Sequence, residues 1–443
     1  MSQITIKKGH DVRMKGIPSD EISSNISPEK VSLSPQQFRG IKPKLIVSEG
    51  DKVETGSPLF FDKLKPEVKW ASPSSGIVTR IQYGARRIIE KIEITVDPKN
   101  PESSKSFSSS QLNTADRETV MKSILDACIF PLIRQRPFNK VANPTDVPRD
   151  IFISAYNTAP LSVNVTKIIQ NNKDEFQAGL TALSKLTEGS VYLTSQKPME
   201  FDNATNVTIA GPHPAGNVGI QIHHIKPINP GEVIWTVNPQ HVITIGKLFQ
   251  NGYYDPECVV SIGGSGSSNP QTVKALIGSS IESLLKDQLL NGSQRIVSGD
   301  VLTGKRVSSD DYLGFYDSSV AIINDDVKRP FLGMLAVGSS STKYSLTNTF
   351  LSARADEFDF TTSQNGELRA IVPLNAWEKM LPMDILPNPL YRAILAQDIE
   401  EMEQLGIWEC DDEDFALCSF ACPSKIDVGS VIREGLDLLE RDS

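Results

Sequence analysis

Between Leu45 and Val96, short apolar runs alternate with turn residues: LIVSEGDKVETGSPLFFDKLKPEVKWASPSSGIVTRIQYGARRIIEKIEITV. Gly50-Asp51, Gly56-Ser57-Pro58 and Ser72-Pro73-Ser74-Ser75-Gly76 mark turns. Gly supplies positive φ, Pro presets φ, and Asp or Ser bonds its own backbone. The β-branched and aromatic runs between them predict short strands joined by hairpins. Residues 4–35, broken by Gly9, Gly16, Pro18, Pro28 and Pro35, predict irregular β-structure completing the same domain. The Ser- and Pro-rich stretch 97–113 reads as a linker.

From Thr114 the period lengthens. Val120, Ile124, Ala127 and Cys128 recur at helical spacing. A buried-type strand at DIFIS, a helix over 162–189 stopped by Gly189, and the runs VYLTSQ and NVTIAG follow. This alternation predicts an open α/β layer with parallel strands, ending near Tyr254. VVSIG then runs into a Gly/Ser loop. A strand-like stretch follows, with turns at Asn291-Gly292, Ser298-Gly299-Asp300 and Thr303-Gly304, and it reads as a small β-grasp module. Residues 331–373 predict short strands and turns. From Pro389 the pattern is helical, with a stop at Gly406.

Gly50-Asp51-x-Val53-x-x-Gly56-x-x-Leu59 and Ala71-Ser72-Pro73-x-Ser75-Gly76-x-Val78 resemble the two halves of a barrel-sandwich hybrid, the β-domain of lipoyl and biotin carriers. A carrier shows its acceptor lysine at a hairpin tip, as Asp-Lys-Ala or Met-Lys-Met. Here Asp62-Lys63 is followed by Leu64, and the interval to Gly76 is longer than in lipoyl domains, which places Lys65-Pro66 in an enlarged tip. A solvated lysine on a docking domain is the plainer reading, and a carrier is the alternative.

At 443 residues the chain is sized for two to four domains. With 39% hydrophobic and 22% charged residues it reads as folded rather than disordered. A net charge of -9 and a pI of 5.3 disfavour a nucleic-acid partner. No apolar run approaches the ~18–20 residues of a membrane span. The opening MSQITIKKGHDVRMKG lacks the apolar core of a secretory signal. The sparse, odd set Cys128, Cys258, Cys410, Cys418 and Cys422 argues for a reducing compartment.

Four constellations are candidates for chemistry. Gly263-Gly264-Ser265-Gly266-Ser267-Ser268, read between a strand and a helix, suits a phosphate cradle. It lacks the Gly-Lys-Ser/Thr ending, and Asn269 breaks Gly-x-Gly-x-x-Gly, so a plain connection is the competing reading. His213, between two prolines, and His223-His224 could bind metal or pack against a quinone-like ring. No carboxylate-rich ligand set sits beside them, so no metal site is expected. Cys410, Cys418 and Cys422-Pro423 resemble the end of a ferredoxin-type motif but offer no Cys-x-x-Cys. Finally, Arg134, Arg136 and Lys140 flank Phe130 and Phe138. That loop could grip an aromatic headgroup or an acidic partner surface, or could be a charged turn with two core phenylalanines.

Taken in order, the opening Ile4-Thr5-Ile6-Lys7-Lys8-Gly9, Gly84-Ala85-Arg86-Arg87, Arg136-Pro137-Phe138-x-Lys140, Gly211-x-His213-Pro214-Ala215-Gly216-x-Val218-Gly219, Ile245-Gly246-x-Leu248-Phe249 and Ser298-Gly299-x-Val301-Leu302-Thr303-Gly304 resemble one family along the whole chain. It is the A-subunit family of the sodium-translocating NADH:quinone oxidoreductase. That family is similar in turn to the flavin-carrying subunit of complex I and the C subunit of the Rnf complex. The resemblance implies a multidomain α+β chain. Its parts would be a barrel-sandwich hybrid (1–100), a Rossmann-like α/β domain (113–255), an SLBB-like β-grasp module (256–330), and a mixed β then helical region (331–443) like a degenerate ferredoxin-type segment. It implies a peripheral subunit on the cytoplasmic face of the inner membrane, with five other subunits as partners, supporting ubiquinone reduction coupled to sodium export. It implies no covalent cofactor, no FMN and no iron–sulfur cluster, and no nameable catalytic residue. The implied quinone contact falls on Phe130, Arg134, Arg136, Phe138 and Lys140, with His213 as a further quinone or partner contact. A pure scaffold without quinone contact is the alternative.

Overall fold

The computed structural model describes residues 2–97, 112, 114–286, 288–325, 332, 335, 337–338, 343–372 and 374–442. The predicted linker at 97–113 lies almost wholly outside the described residues.

The first two strands pair with other sheets rather than with those of the barrel-sandwich. β1 (Ser2–Thr5) joins the α/β sheet, β2 (Ile22–Asn25) joins the β-grasp sheet, and only β3 (Lys30–Leu33) belongs to the barrel-sandwich. These pairings reach some two hundred residues along the chain, and Ser2 lies opposite Val207. Local turn residues carry no signal for such a partner.

The barrel-sandwich itself follows the turn chemistry. β4 (Pro43–Leu45), β5 (Lys52–Val53), β6 (Pro58–Asp62), β7 (Lys65–Ala71), β8 (Gly76–Tyr83) and β9 (Ile89–Val96) form two sheets, ordered β3-β9-β8-β5 and β4-β6-β7. Phe60 stacks on Trp70 at 4.6 Å between them. Each such buried aromatic stabilises the fold by about 1.5–3 kcal/mol. The hairpin tip is Lys63-Leu64 rather than Lys65-Pro66, because Lys65 already pairs with Asp62. The Asp62 carboxylate closes this short turn by accepting from the Leu64 N–H at 3.0 Å and the Lys42 N–H at 2.8 Å.

The α/β unit contains α1 (Arg117–Asp126), β10 (Ile133–Arg136), β11 (Lys140–Val141), β12 (Ile151–Ser154), α2 (Val165–Asn171), α3 (Lys173–Ser184), β13 (Val191–Ser195), β14 (Thr205–Ala210), α4 (Val218–Ile225), β15 (Ile234–Val237) and α5 (Pro239–Asn251). The single helix expected over 162–189 is broken at Asn172, whose side chain donates to the Ile168 carbonyl at 2.8 Å. Sheet order is β1-β14-β13-β12-β15-β10-β11, parallel from β1 to β15 and antiparallel at β10 and β11. From β12 the chain builds one way through β13 and β14, then returns to add β15 on the other side. This reversal opens a crevice at the C-terminal ends of β12 and β15, where open α/β sheets bind ligands.

The β-grasp module has β16 (Glu257–Gly263), β17 (Gln271–Leu276), α6 (Ile281–Leu284), β18 (Gln294–Ser298), β19 (Lys305–Val307) and β20 (Ser319–Asn324), ordered β19-β18-β20-β16-β17-β2. Among the described residues of 331–373 there is no strand, only isolated bridges such as Met14 with Phe358 and Asn324 with Thr361. The C-terminal region is helical as expected. It holds α7 (Ala376–Met380), α8 (Pro387–Ala396), α9 (Ile399–Gln404), α10 (Ala416–Ala421) and α11 (Val428–Asp442). Gly406 takes φ 87° after α9, a left-handed stop that glycine adopts without a Cβ clash.

One core runs beneath the first three parts. Phe38 touches both Trp70, at 5.0 Å, and Phe315, also at 5.0 Å, joining the barrel-sandwich to the β-grasp module. The helical region has its own core, which reaches Ile209 and Ile220 of the α/β unit. No helix among the described residues is long and apolar enough to cross a membrane.

Candidate functional site

A cleft of about 1630 Å³ lies where all four parts meet. Its floor is the crevice of the α/β sheet: Tyr156 and Asn157 follow β12, Thr236 lies near the end of β15, and Asn238 follows it. Asn238 accepts from the Gln240 N–H at 2.9 Å, and Pro239 opens α5, so this corner is rigid. Phe38, Phe315 and Tyr316 form one wall, and Tyr344, Phe358 and Phe360 belong to the C-terminal side.

Arg134 enters from β10. Its guanidinium lies 4.8 Å from the Tyr316 ring centre, and no carboxylate pairs with it among the described residues. The stacking itself contributes about 0.5–1 kcal/mol. Thr236 sits directly across from Arg134 in the sheet, so both side chains leave the same face. The Thr236 hydroxyl is buried and has no hydrogen-bond partner among the described residues. The Tyr316 hydroxyl, by contrast, donates to the Pro131 carbonyl at 2.8 Å, and burial pushes its pKa up. The corner therefore offers a cation, an unsatisfied hydroxyl and an aromatic face together.

Arg136 has a different fate. It is 1% exposed, and its Nη2 lies 3.0 Å from Asp411 and 2.6 Å from Glu413, with Asp414 at 3.9 Å from Nη1. Burial opposes its charge, but Asp411, then Glu413 and Asp414, more than offset that. Arg433 approaches Asp411 at 3.4 Å, and Arg39 of the barrel-sandwich binds Asp412 at 2.8 Å. The Asp414 carboxylate lies against the first turn of α4. A Cβ on Gly219 would stand 2.0 Å from its Oδ2, so only glycine leaves room. Burial pushes Asp414 well above the ordinary carboxylate range, against the pull of Arg136. Asp411 is pushed up to about 7 by burial, also against Arg136. This cluster fastens the helical region to the α/β and barrel-sandwich parts.

The intervening turn serves the same fastening. Phe138 and Asn139 both have positive φ, at 75° and 49°, which costs about 1–2 kcal/mol per residue. Arg433 Nη1 donates to the Phe138 carbonyl at 3.0 Å, and Asn139 Nδ2 donates to Asp411 at 2.6 Å. These charge-assisted bonds offset the strain.

Of the residues singled out in sequence, Arg134 and Lys140 line the cleft, and Lys140 is paired with Glu440. Phe130 is fully buried edge-on to Trp235 at 5.9 Å, and Phe138 packs on Trp408 at 5.8 Å. Those two rings and Arg136 build the fold rather than the cleft surface. His213 is also buried. Its backbone N–H donates to Asp11 at 2.8 Å, its Nδ1 meets Thr158 at 3.1 Å, and its Nε2 has no partner among the described residues. Burial pushes its pKa down, which favours the neutral imidazole. His223 Nδ1 donates to Glu409 at 2.8 Å while its Nε2 accepts from the Asp384 N–H at 3.0 Å; His224 donates to the Pro382 carbonyl at 2.8 Å. Both bind α4 to the helical region. Among the described residues no group of His, Cys, Asp or Glu could hold a metal ion.

The Gly263–Ser268 loop is corrected more sharply. It joins β16 to β17, an antiparallel hairpin, and no helix follows it. Without a helix N-terminus the anion-binding argument fails. Of the loops at the crevice, residues 155–164 contain no glycine, while the loop before α4 brings Gly216 to the cleft. Tyr316, Thr236 and Tyr344 were not legible as site residues, because they come from far-apart segments with no shared motif.

The comparisons with known proteins agree in sequence and extent. Family models described as the NqrA N-terminal barrel-sandwich hybrid domain, the NqrA second alpha/beta domain and the NQRA C-terminal domain match residues 4–97, 115–254 and 259–309. The A subunit of the Na(+)-translocating NADH-quinone reductase of Saccharophagus degradans is 37% identical, over 99% of this chain and 100% of its own length. Those of Pasteurella multocida and Vibrio anguillarum are 36% and 37% identical, each over 99% of this chain and 100% of their own length. The chain therefore belongs to the NqrA family, the A subunits of the Na(+)-translocating NADH-quinone reductases.

Proposed function

We propose that this chain is the peripheral, cytoplasmic-face component of a six-subunit sodium-pumping enzyme, and that its cleft receives the ubiquinone ring. The relatives' names supply the reaction: they belong to NADH-quinone reductases. The observation that carries the quinone contact is Arg134, which lies over the Tyr316 ring in an α/β crevice without a carboxylate partner among the described residues. A quinone has two carbonyl oxygens and a flat ring. The guanidinium and the Thr236 hydroxyl would donate to a carbonyl, and the aromatic wall would pack against the ring. Neither group transfers electrons, so the chain binds and orients quinone while partner subunits carry the redox chemistry and the ion path.

This reading assigns no covalent cofactor, no FMN and no iron–sulfur cluster to the chain. It is supported by the cysteines. The Cys410 thiol donates to the Gly406 carbonyl and the Cys418 thiol to the Trp377 carbonyl. Burial pushes both thiols up, away from the thiolate form a cluster requires.

Photo-crosslinking of an azido-ubiquinone to the assembled enzyme tests the reading. Label is expected in peptides containing Arg134 or Tyr316, and excess ubiquinone should compete it away. Label confined to other subunits would overturn the quinone contact and leave a scaffold.

A further inference from the structure

The cleft has a second flank whose chemistry differs from the Arg134 corner. Met14, Leu302, Ile323, Phe360 and Phe420 line it and belong to one apolar cluster. Tyr344 extends this surface, with its ring 4.9 Å from Phe360 and 5.9 Å from Phe420. The polar atoms nearby bond to one another. The Tyr344 hydroxyl is paired with His10 Nε2, and Asn324 Nδ2 donates to Asp359 Oδ1 at 3.3 Å. Burial, the largest influence, pushes the His10 pKa down, so its neutral ring can accept a hydrogen bond from the Tyr344 hydroxyl. Polar residues such as Asp300, Lys305 and Thr361 rim this flank, and within that rim Met14, Leu302, Ile323, Phe360 and Phe420 form a continuous apolar face.

Size points the same way. Pockets that enclose a drug-sized ligand run to about 300–1,000 Å³. A cleft of about 1630 Å³ is larger than a single quinone ring needs. One end offers donors and the other offers hydrocarbon, which matches a ligand with a polar ring and an apolar tail.

We propose that the Phe360–Phe420 flank is the subsite for the isoprenoid tail, and that it sets the preference for tailed over tail-less quinones. The inference rests on the quinone reading above. Phe360 and Phe420 are specificity residues in it, and Arg134 holds the ring.

The test is the steady-state KM of the assembled enzyme for ubiquinone analogues with no isoprene unit, one unit and two. Phe360→Ala is expected to raise KM for the tailed analogues about tenfold and to leave the tail-less one within about twofold. Phe360→Leu, which keeps an apolar side chain, should retain most of the discrimination. Arg134→Gln should raise KM for every analogue alike. Should Phe360→Ala fail to assemble, Leu302→Ser repeats the test from the β-grasp side. An unchanged KM ratio in the flank variants, with Arg134→Gln still acting on every analogue, would overturn the tail subsite and leave the quinone reading standing. If Arg134→Gln also leaves every KM unchanged, both readings fall.

Discussion

Arg134 and Arg136 stand two positions apart on β10, and on one face of it, yet they do opposite work. Arg136 is sealed among Asp411, Glu413 and Asp414, and its charge fastens one part of the molecule to another. Arg134 lies over Tyr316 in the cleft and has no carboxylate among the described residues to satisfy it. A buried, compensated cation is a structural device, because removing it strands the opposing charges. Arg134, beside a Thr236 hydroxyl that has no partner among the described residues, is the group the proposed quinone contact rests on. Residue type and spacing are the same for both; the C-terminal acidic loop separates them.

The largest expected effect breaks the Arg136 side. Arg136→Met should destabilise the chain by about 3–5 kcal/mol in urea unfolding, since it removes the buried cation that Asp411 and Glu413 bind. A loss below about 1 kcal/mol would show that the cluster is not the fastening. Next comes Gly219→Ala. Its methyl group would meet the Asp414 carboxylate at 2.0 Å, and overpacking of this kind costs about 1–3 kcal/mol. Combining it with Asp414→Ala should recover much of that loss, and failure to recover would mean that α4 itself is strained.

The pH dependence sharpens the comparison. Asp414 has its folded pKa raised, so the folded state holds its proton more tightly than the unfolded chain does. Its contribution is present at low pH and is lost as pH rises from the unfolded carboxylate value of about 3.9 through the folded one. Asp414→Asn, a permanent mimic of the protonated form, should therefore be more stable than the parent at pH 8 and lose that advantage on acidification. Asp412 works in the opposite sense. Against its burial, the Asp411 and Arg39 contacts hold it down to about 2, so its contribution disappears as pH falls through that value. An unchanged stability–pH curve in Asp414→Asn would remove Asp414 from the account. The smallest effect belongs to Lys140→Ala. Its partly exposed pair with Glu440 should contribute no more than about 1 kcal/mol.

Much of the fold was legible. The turns at Gly50-Asp51, Gly56-Ser57-Pro58 and Ser72–Gly76 bound real strands, because turn chemistry is local. The α/β layer and the helical C-terminus follow equally from periodicity. β1 and β2 were not legible as members of distant sheets, because a strand of four residues does not name its partner. The glycine loop misled for a related reason: whether a strand or a helix follows decides its chemistry, and QTVKAL fits a strand once β16 lies beside it. The basic–aromatic segment singled out β10, whose Arg134 lines the cleft. Sequence could not sort Arg134 from Arg136, since burial depends on Asp411 and Tyr316, far along the chain.

The central claim is this division of labour, and one paired measurement addresses it. Arg134→Gln and Arg136→Met are each built into the assembled enzyme and assayed for KM toward ubiquinone and for the melting temperature of the chain. The account predicts that Arg134→Gln raises KM and leaves melting unchanged, while Arg136→Met lowers melting by several degrees. Arg134→Gln with a normal KM would contradict it.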